Sequence, residues 1–253
     1  MNMITITNVS KNFKDKKALD NVCLEIKKGE LFGLLGVNGA GKTTLIKILC
    51  GLTKKSSGSV QIDGFDLDKA SDKIKEIVDI SPQETSIANN LTVKENLQFI
   101  AGIYQKNNAE NIRKIVEVFH LEEVLSQRAK TLSGGYKRRL SIALALISEP
   151  KILFLDEPTL GLDVFARREL WTIIRRLKEK ITIVLTSHYL EEMENLCDRV
   201  AILSKGKVLN VGTVEEIKTA TSCDTFEDAF VKLAGGECER IDERIDGREI
   251  KNA

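Results

Sequence analysis

Gly36-Val37-Asn38-Gly39-Ala40-Gly41-Lys42-Thr43, followed by Thr44, is the stretch from which the rest of the chain is read. It fits the pattern G-x-x-x-x-G-K-[ST], and its flanks have the required character. Upstream, Leu31-Phe32-Gly33-Leu34-Leu35 is a short apolar strand. Downstream, Leu45, Ile46, Leu49 and Leu52 recur at helical spacing, with Gly51 near the end as a stop. Glycines let a backbone wrap a phosphate chain with its N–H groups pointing inward, at the positive end of a helix dipole. Gly36, Asn38, Gly39, Ala40, Gly41 and Thr44 are the residues expected to form this cradle. Lys42 is expected to reach the β- and γ-phosphates, and the Thr43 hydroxyl to ligate Mg²⁺. The alternative is a glycine-rich turn with a surface lysine, which does not call for a strand before it and a helix after it. The stretch reads as a nucleotide site.

Further along, Ile152-Leu153-Phe154-Leu155-Asp156-Glu157 is four apolar residues closed by two acids. A buried strand ending in carboxylates puts them in the crevice where α/β sheets bind ligands. Asp156 is expected to hold the Mg²⁺, directly or through water, and Glu157 to polarise an attacking water. Two acids can also simply mark a strand leaving the core, and the phosphate loop upstream favours the functional reading. Between the two motifs stands Leu132-Ser133-Gly134-Gly135-Tyr136, which opens a helix predicted over 137–147. Ser133 suits an N-cap, and the glycines leave N–H groups open to an anion. Ser-Gly-Gly alone is more often a plain loop and cap. Its place in the order is what carries information.

Around these motifs the chain alternates. Residues 3–7 and 22–26 have the period of strands, and residues 92–147 turn helical. Strand and helix patterns then follow in turn from 151 to 211, which implies a largely parallel sheet covered on both faces. The helical middle reads as a lobe inserted into an α/β core. Residues 236–253, mostly charged, read as a frayed or loosely docked tail.

The 253 residues carry 38 Lys+Arg against 37 Asp+Glu, so the +1 net charge gives no support for a binder of nucleic acid through a large basic face. No apolar run approaches the roughly 18–20 residues of a membrane span, and residues 1–6 lack the pattern of a secretory signal. Five cysteines form no CxxC and are odd in number, which suits reduced thiols in cytosol better than a disulfide framework or zinc site. A soluble cytosolic protein is expected.

The motifs together resemble those of the ATP-binding subunit of ABC transporters, over about residues 4–235. The phosphate loop corresponds to the Walker A motif, residues 152–156 to Walker B, and Glu157 to the catalytic glutamate. Residues 132–136 are similar to the LSGGQ signature, with Tyr136 in place of glutamine. The resemblance implies a P-loop NTPase core with a mainly parallel sheet, an N-terminal antiparallel β part and a helical lobe at about 86–148. All of this would lie in an ATP-binding domain of residues 1–235. It also implies that Gln83 sits near the metal and hinges the lobe, that His188 contacts the γ-phosphate and that Phe13 stacks on adenine. Asp163, in Leu160-Gly161-Leu162-Asp163, matches the D-loop at a dimer seam. Each has a bland reading: a turn glutamine, a locally satisfied histidine, a core aromatic, a helix-capping aspartate. His120, at the end of an amphipathic pattern, keeps its bland reading.

The implied function is hydrolysis of ATP with Mg²⁺, driving a separate integral-membrane permease through a head-to-tail pair of such subunits. In that pair the Ser133–Gly135 signature of one copy would close on the ATP of the other. The subunit would sit at the cytoplasmic face of the membrane, bound to the permease. An ABC-type motor acting on DNA or the ribosome is the alternative. The helical stretch is too short and lacks the sustained heptads of DNA-repair relatives, and translation-factor relatives carry two such domains in one chain. Residues 83–85, 90–97, 187–194 and 225–230 look like the branch that exports drugs, antibiotics or ions. The polar residues 84–90 are expected to form a socket for a partner helix.

Overall fold

The computed structural model describes residues 1–14, 16–106 and 109–235. The stretch 236–253, read above as a tail, lies outside the described residues. The chain opens with two long strands, β1 (Asn2–Phe13) and β2 (Lys16–Lys27), then β3 (Leu31–Leu35) and, past the glycine loop, α1 (Lys42–Leu49). Next come β4 (Ser57–Ile62), β5 (Phe65–Asp66), α2 (Ser71–Lys75) and β6 (Val78–Ser81). Three helices follow: α3 (Val93–Ile103), α4 (Ala109–Val118) and α5 (Gly134–Leu146), the last two separated by 3₁₀ turns at Glu122–Val124 and Ala129–Thr131. Alternation resumes with β7 (Ile152–Asp156), α6 (Val164–Lys178), β8 (Thr182–Ser187), α7 (Leu190–Leu196), β9 (Arg199–Ser204) and β10 (Lys207–Gly212). Helices α8 (Val214–Thr221) and α9 (Phe226–Gly235) end the described chain.

Two sheets result. One is antiparallel, in the order β2-β1-β4-β5. The other has the order β10-β9-β3-β8-β7-β6, parallel from β9 to β6, with β10 antiparallel at the edge. Successive side chains of a strand point to opposite faces, so a strand buried on both faces feeds two cores. Leu31, Leu35, Leu153, Leu155, Ile183, Leu185, Val200 and Ile202 join one core with α3–α9. Their neighbours Phe32, Leu34, Ile152, Phe154, Val184, Ala201 and Leu203 join the other, against α1 and the antiparallel sheet. Each fully buried side chain of this kind is worth about 1.5–3 kcal/mol. Among the described residues, the helices between β6 and β7 have no core of their own. Val93, Leu97 and Phe119 share the first core with Leu153 and Ile183, through α5.

Two local expectations need correction. Leu52 does not continue the apolar face of α1 and is exposed. The helix stops at Leu49, Gly51 turns the chain at φ 69°, and the Leu52 N–H caps the Lys47 carbonyl at 2.8 Å. The first strand runs on to Phe13, because a register shift around Asn8, at φ 51°, interrupts the alternation without ending the pairing.

Candidate active site

Parallel strands deliver their C-terminal ends to one edge of the sheet, and four elements meet there. The loop after β3 runs into α1 through Gly41, whose φ of 111° closes the turn. A Cβ at Gly41 would stand 2.7 Å from Leu19 Cδ2 and 2.8 Å from the Ala18 carbonyl oxygen, so only glycine fits. The ends of β7 and β8 bring Asp156, Glu157 and His188, and the turn after β6 brings Gln83. Together they enclose a cleft of about 370 Å³.

Phe13, Asn38, Gly39, Ala40, Gly41, Lys42, Thr43, Thr44, Gln83, Glu157 and His188 all line this cleft. Gly36 lies behind it and accepts from Lys42 Nζ at 2.6 Å. Asp156 does not line the cleft but is buried behind Thr43, its Oδ1 accepting from Thr43 Oγ1 at 3.1 Å and from Thr186 Oγ1 at 2.6 Å. Glu157 is also buried and lies between two partners. Lys42 Nζ is 3.2 Å from Oε1, and His188 Nδ1 is 2.8 Å from Oε2. A contact to a carboxylate calls for the proton on Nδ1. The backbone of Glu157 is left-handed, with φ 49°, a costly conformation for a side chain of this size. Its N–H donates to Thr186 Oγ1 at 2.9 Å, so one threonine fixes both acids.

Ser133, Gly134, Gly135 and Asp163 do not reach the cleft. Ser133 N-caps α5, accepting from the Tyr136 N–H at 3.4 Å. Asp163 N-caps α6, accepting from the N–H groups of Phe165 and Ala166 at 2.9 and 3.0 Å. The two caps are neighbours: a Cβ at Gly135 would lie 3.1 Å from Ala166 Cβ, and one at Gly134 3.9 Å from Leu162 Cδ2. They present a second exposed edge with the free N–H groups of a helix's first turn. Tyr136 stacks under the Arg139 guanidinium, 4.2 Å from the ring centroid.

Several residues escaped the sequence reading. Lys16, Ala18 and Leu160 line the cleft, and a lysine among the many near residue 16 gave no signal. Thr186, two residues before His188, was given no role in the sequence reading. Glu192, fully buried on α7, bonds the Trp171 indole N–H at 3.2 Å through Oε1, while Oε2 and the nearby Thr159 Oγ1 lack partners of good geometry. Burial pushes its carboxyl above the usual range, and neighbouring Glu157 adds to this; the Ser187, Thr159 and Trp171 side chains oppose it.

Residues 19–160, which contain the phosphate loop, the signature and the acidic strand end, match the family described as ABC transporter. The chain is 40% identical over 240 residues to the probable multidrug ABC transporter ATP-binding protein YbhF of Escherichia coli K12. That alignment spans 91% of this chain and 41% of the relative, so the chain spans about two fifths of that protein. It is 38% identical to the linearmycin resistance ATP-binding protein LnrL of Bacillus subtilis 168, over 88% of this chain and 73% of that one. Among solved structures, the ATP-binding cassette MJ0796, a dimer in a post-hydrolysis state bound to ADP and Pi, superposes with a TM-score of 0.74 at 25% identity. The superposition covers 83% of this chain and 98% of the other. Phosphate loop, acid pair and signature thus all lie within the matched segment, and this chain belongs to the ABC transporter family as one of its ATP-binding cassettes.

Proposed function

We propose that this chain, through an ATP-binding domain of residues 1–235, hydrolyses ATP to drive a permease carried on another polypeptide. Among the described residues no helix is long and apolar enough to cross a membrane. The observation that carries the catalytic part is Glu157, a buried carboxylate in a strained backbone beside the phosphate loop, held between Lys42 and His188. Strain of this kind persists where surrounding contacts over-determine it, and it gathers at working sites.

The cradle fits a polyphosphate and the floor fits Mg²⁺. The Thr43 hydroxyl and the Asp156 carboxylate converge as hard oxygen donors, with Gln83 on the cleft wall as a further oxygen. A bound Mg²⁺ would take its other ligands from phosphate and water and would neutralise charge on the β- and γ-oxygens. Phosphate oxygens compete with Glu157 and the Gly36 carbonyl for the Lys42 ammonium. Binding of ATP therefore releases one carboxylate oxygen of Glu157, which can accept the proton of the attacking water. A positioned base of this type contributes about 10²–10⁴-fold. His188 keeps its other hold on Glu157 and brings an imidazole to the γ-phosphate side. Phe13, half-exposed at the cleft mouth, offers a face to the adenine.

One copy supplies cradle, metal donors and base, but Ser133, Gly134, Gly135 and Asp163 stand on the other edge. Charge spread over the γ-phosphate oxygens needs donors from the far side. A head-to-tail pair supplies them, the signature of each copy closing on the other's ATP; that a similar cassette is dimeric when bound to ADP and Pi supports pairing. Export of a drug-like or antibiotic compound from the cytoplasmic face is favoured by the multidrug and linearmycin resistance relatives.

Glu157→Gln tests the core of this reading. ATP binding is retained, measured by nucleotide titration, while turnover falls by about 10²–10⁴. Wild-type turnover in that variant removes Glu157 from the role of base.

A further inference from the structure

Arg138, in the second turn of α5, is 5% exposed and has no carboxylate partner within ion-pair distance among the described residues. Its hydrogen bonds go to backbone carbonyls on two different segments. One terminal nitrogen donates to the Pro82 carbonyl at 2.7 Å; the other donates to the Gln83 carbonyl at 2.7 Å and to the Glu157 carbonyl at 3.4 Å. A buried guanidinium without a counter-ion is costly, and burial lowers its pKa while the Asp156 and Glu192 carboxylates oppose the shift. Packing alone would be met as well by an apolar side chain of the same length.

The place of those carbonyls explains the cation. Glu157 is strained at φ 49°, and its side chain is tied by Lys42 and His188, both on the wall of the nucleotide cleft. Once Lys42 turns to phosphate, the aim of the carboxylate depends on His188 and on what holds the backbone. That is Thr186 at the N–H, and the Leu160 N–H at 3.2 Å and Arg138 at the carbonyl. Of these three, Arg138 alone comes from α5, whose first turn is Gly134–Gly135, and it alone also grips the turn bearing Gln83.

We infer that Arg138 is a positioning residue for Glu157, joining the signature helix and the 82–83 turn to the base so that hydrolysis requires all three in register. This rests on the reading of Glu157 as the base. The fork of a guanidinium spans three carbonyls on two segments, which a single ammonium cannot do.

Arg138→Met keeps the length and removes the donors; Arg138→Lys keeps charge and stem. In the full chain both variants bind ATP within about 2-fold of wild type, while kcat falls by roughly 10–100-fold for Met and less for Lys, as a misplacement near 1 Å produces. In a Glu157→Gln background Arg138→Met adds nothing, since the group it positions is gone. A kcat within 2-fold of wild type in both variants overturns the inference. So does an ATP affinity that falls in step with kcat, or a full further loss in the Glu157→Gln background, either of which marks a general structural role. Should Arg138→Met not fold, the kcat and KM of Arg138→Lys decide. If instead Glu157→Gln hydrolyses ATP normally, the reading of the base falls, which that variant alone reveals.

Discussion

At the scale of single residues, the site is a set of exchangeable partners. Lys42 holds the Gly36 carbonyl and Glu157 in the contacts that phosphate would take over, which in the proposed function makes it both anchor and release. Lys42→Ala is expected to weaken ATP binding itself, visible in nucleotide titration, whereas Glu157→Gln lowers turnover alone. Phe13 is half-exposed, with Lys11 Nζ 4.6 Å from its ring centroid. Phe13→Ala should therefore cost about 1–3 kcal/mol of ATP affinity if the ring stacks on the base, with an unchanged Tm. An unchanged affinity with a lowered Tm would make it a packing residue. Glu192 gives a pH signature. Its pKa is raised in the fold, mainly by burial, so the folded state holds a proton that the unfolded state releases above its ordinary value of 4.5. Stability is greatest below that value and falls as pH rises towards the raised pKa. Glu192→Gln should remove this slope, so Tm measured from pH 4 to 8 should diverge from wild type upward with pH. Parallel curves would show that Glu192 does not titrate differently in the fold.

At the scale of elements, α3 illustrates how a polar residue shapes a surface. Asn96 is buried, and its amide accepts from the Ala88 N–H at 2.8 Å and donates to the carbonyls of Ala88 and Thr92 at 3.1 and 2.9 Å. Residues 84–90 are mostly exposed, yet this staple and the packing of Ile87 on the core hold them in one shape, as a socket for a partner helix requires. Asn96→Ala removes the acceptor of the Ala88 N–H, while the Ala88 and Thr92 carbonyls keep the N–H groups of Leu91 and Asn96, and should destabilise the fold by about 1–3 kcal/mol in thermal or urea unfolding. Bulk at Ser86, as in Ser86→Arg, should uncouple transport in the reconstituted complex while basal ATPase stays at the wild-type level. Transport that survives the change would put the permease contact elsewhere.

At the scale of the whole molecule, the proposed pairing makes the cleft and the signature edge halves of different sites. ATP then acts as interfacial glue, and turnover should rise more than linearly with protein concentration. The decisive measurement mixes two inactive variants, Lys42→Ala and Ser133→Arg. A heterodimer of them has one composite site with both lesions and one with neither, so partial ATPase activity should return on mixing. If both variants fold and pair with wild type but mixing restores nothing, either the sites do not act across the interface or two intact sites are required. Full activity of Ser133→Arg alone would sink the trans arrangement.

Much of this was legible in the chain. Glycine spacing, apolar runs closed by acids and the order of short motifs are local patterns, and they marked the phosphate loop, Asp156-Glu157, the signature and the β/α alternation. The stretch 57–81 stayed unread: β4 buries only Val60 and Ile62, and β5, α2 and β6, of two, five and four residues, are too short for a period to declare itself. Tertiary structure alone decided what meets what. That the cleft includes Lys16, that Thr186 fixes both acids and that Arg138 reaches Pro82, Gln83 and Glu157 depends on contacts and hydrogen bonds between residues far apart in sequence. Such bonds form because the sheet order brings distant strand ends to one edge, and a pattern of neighbouring residues holds no record of that order.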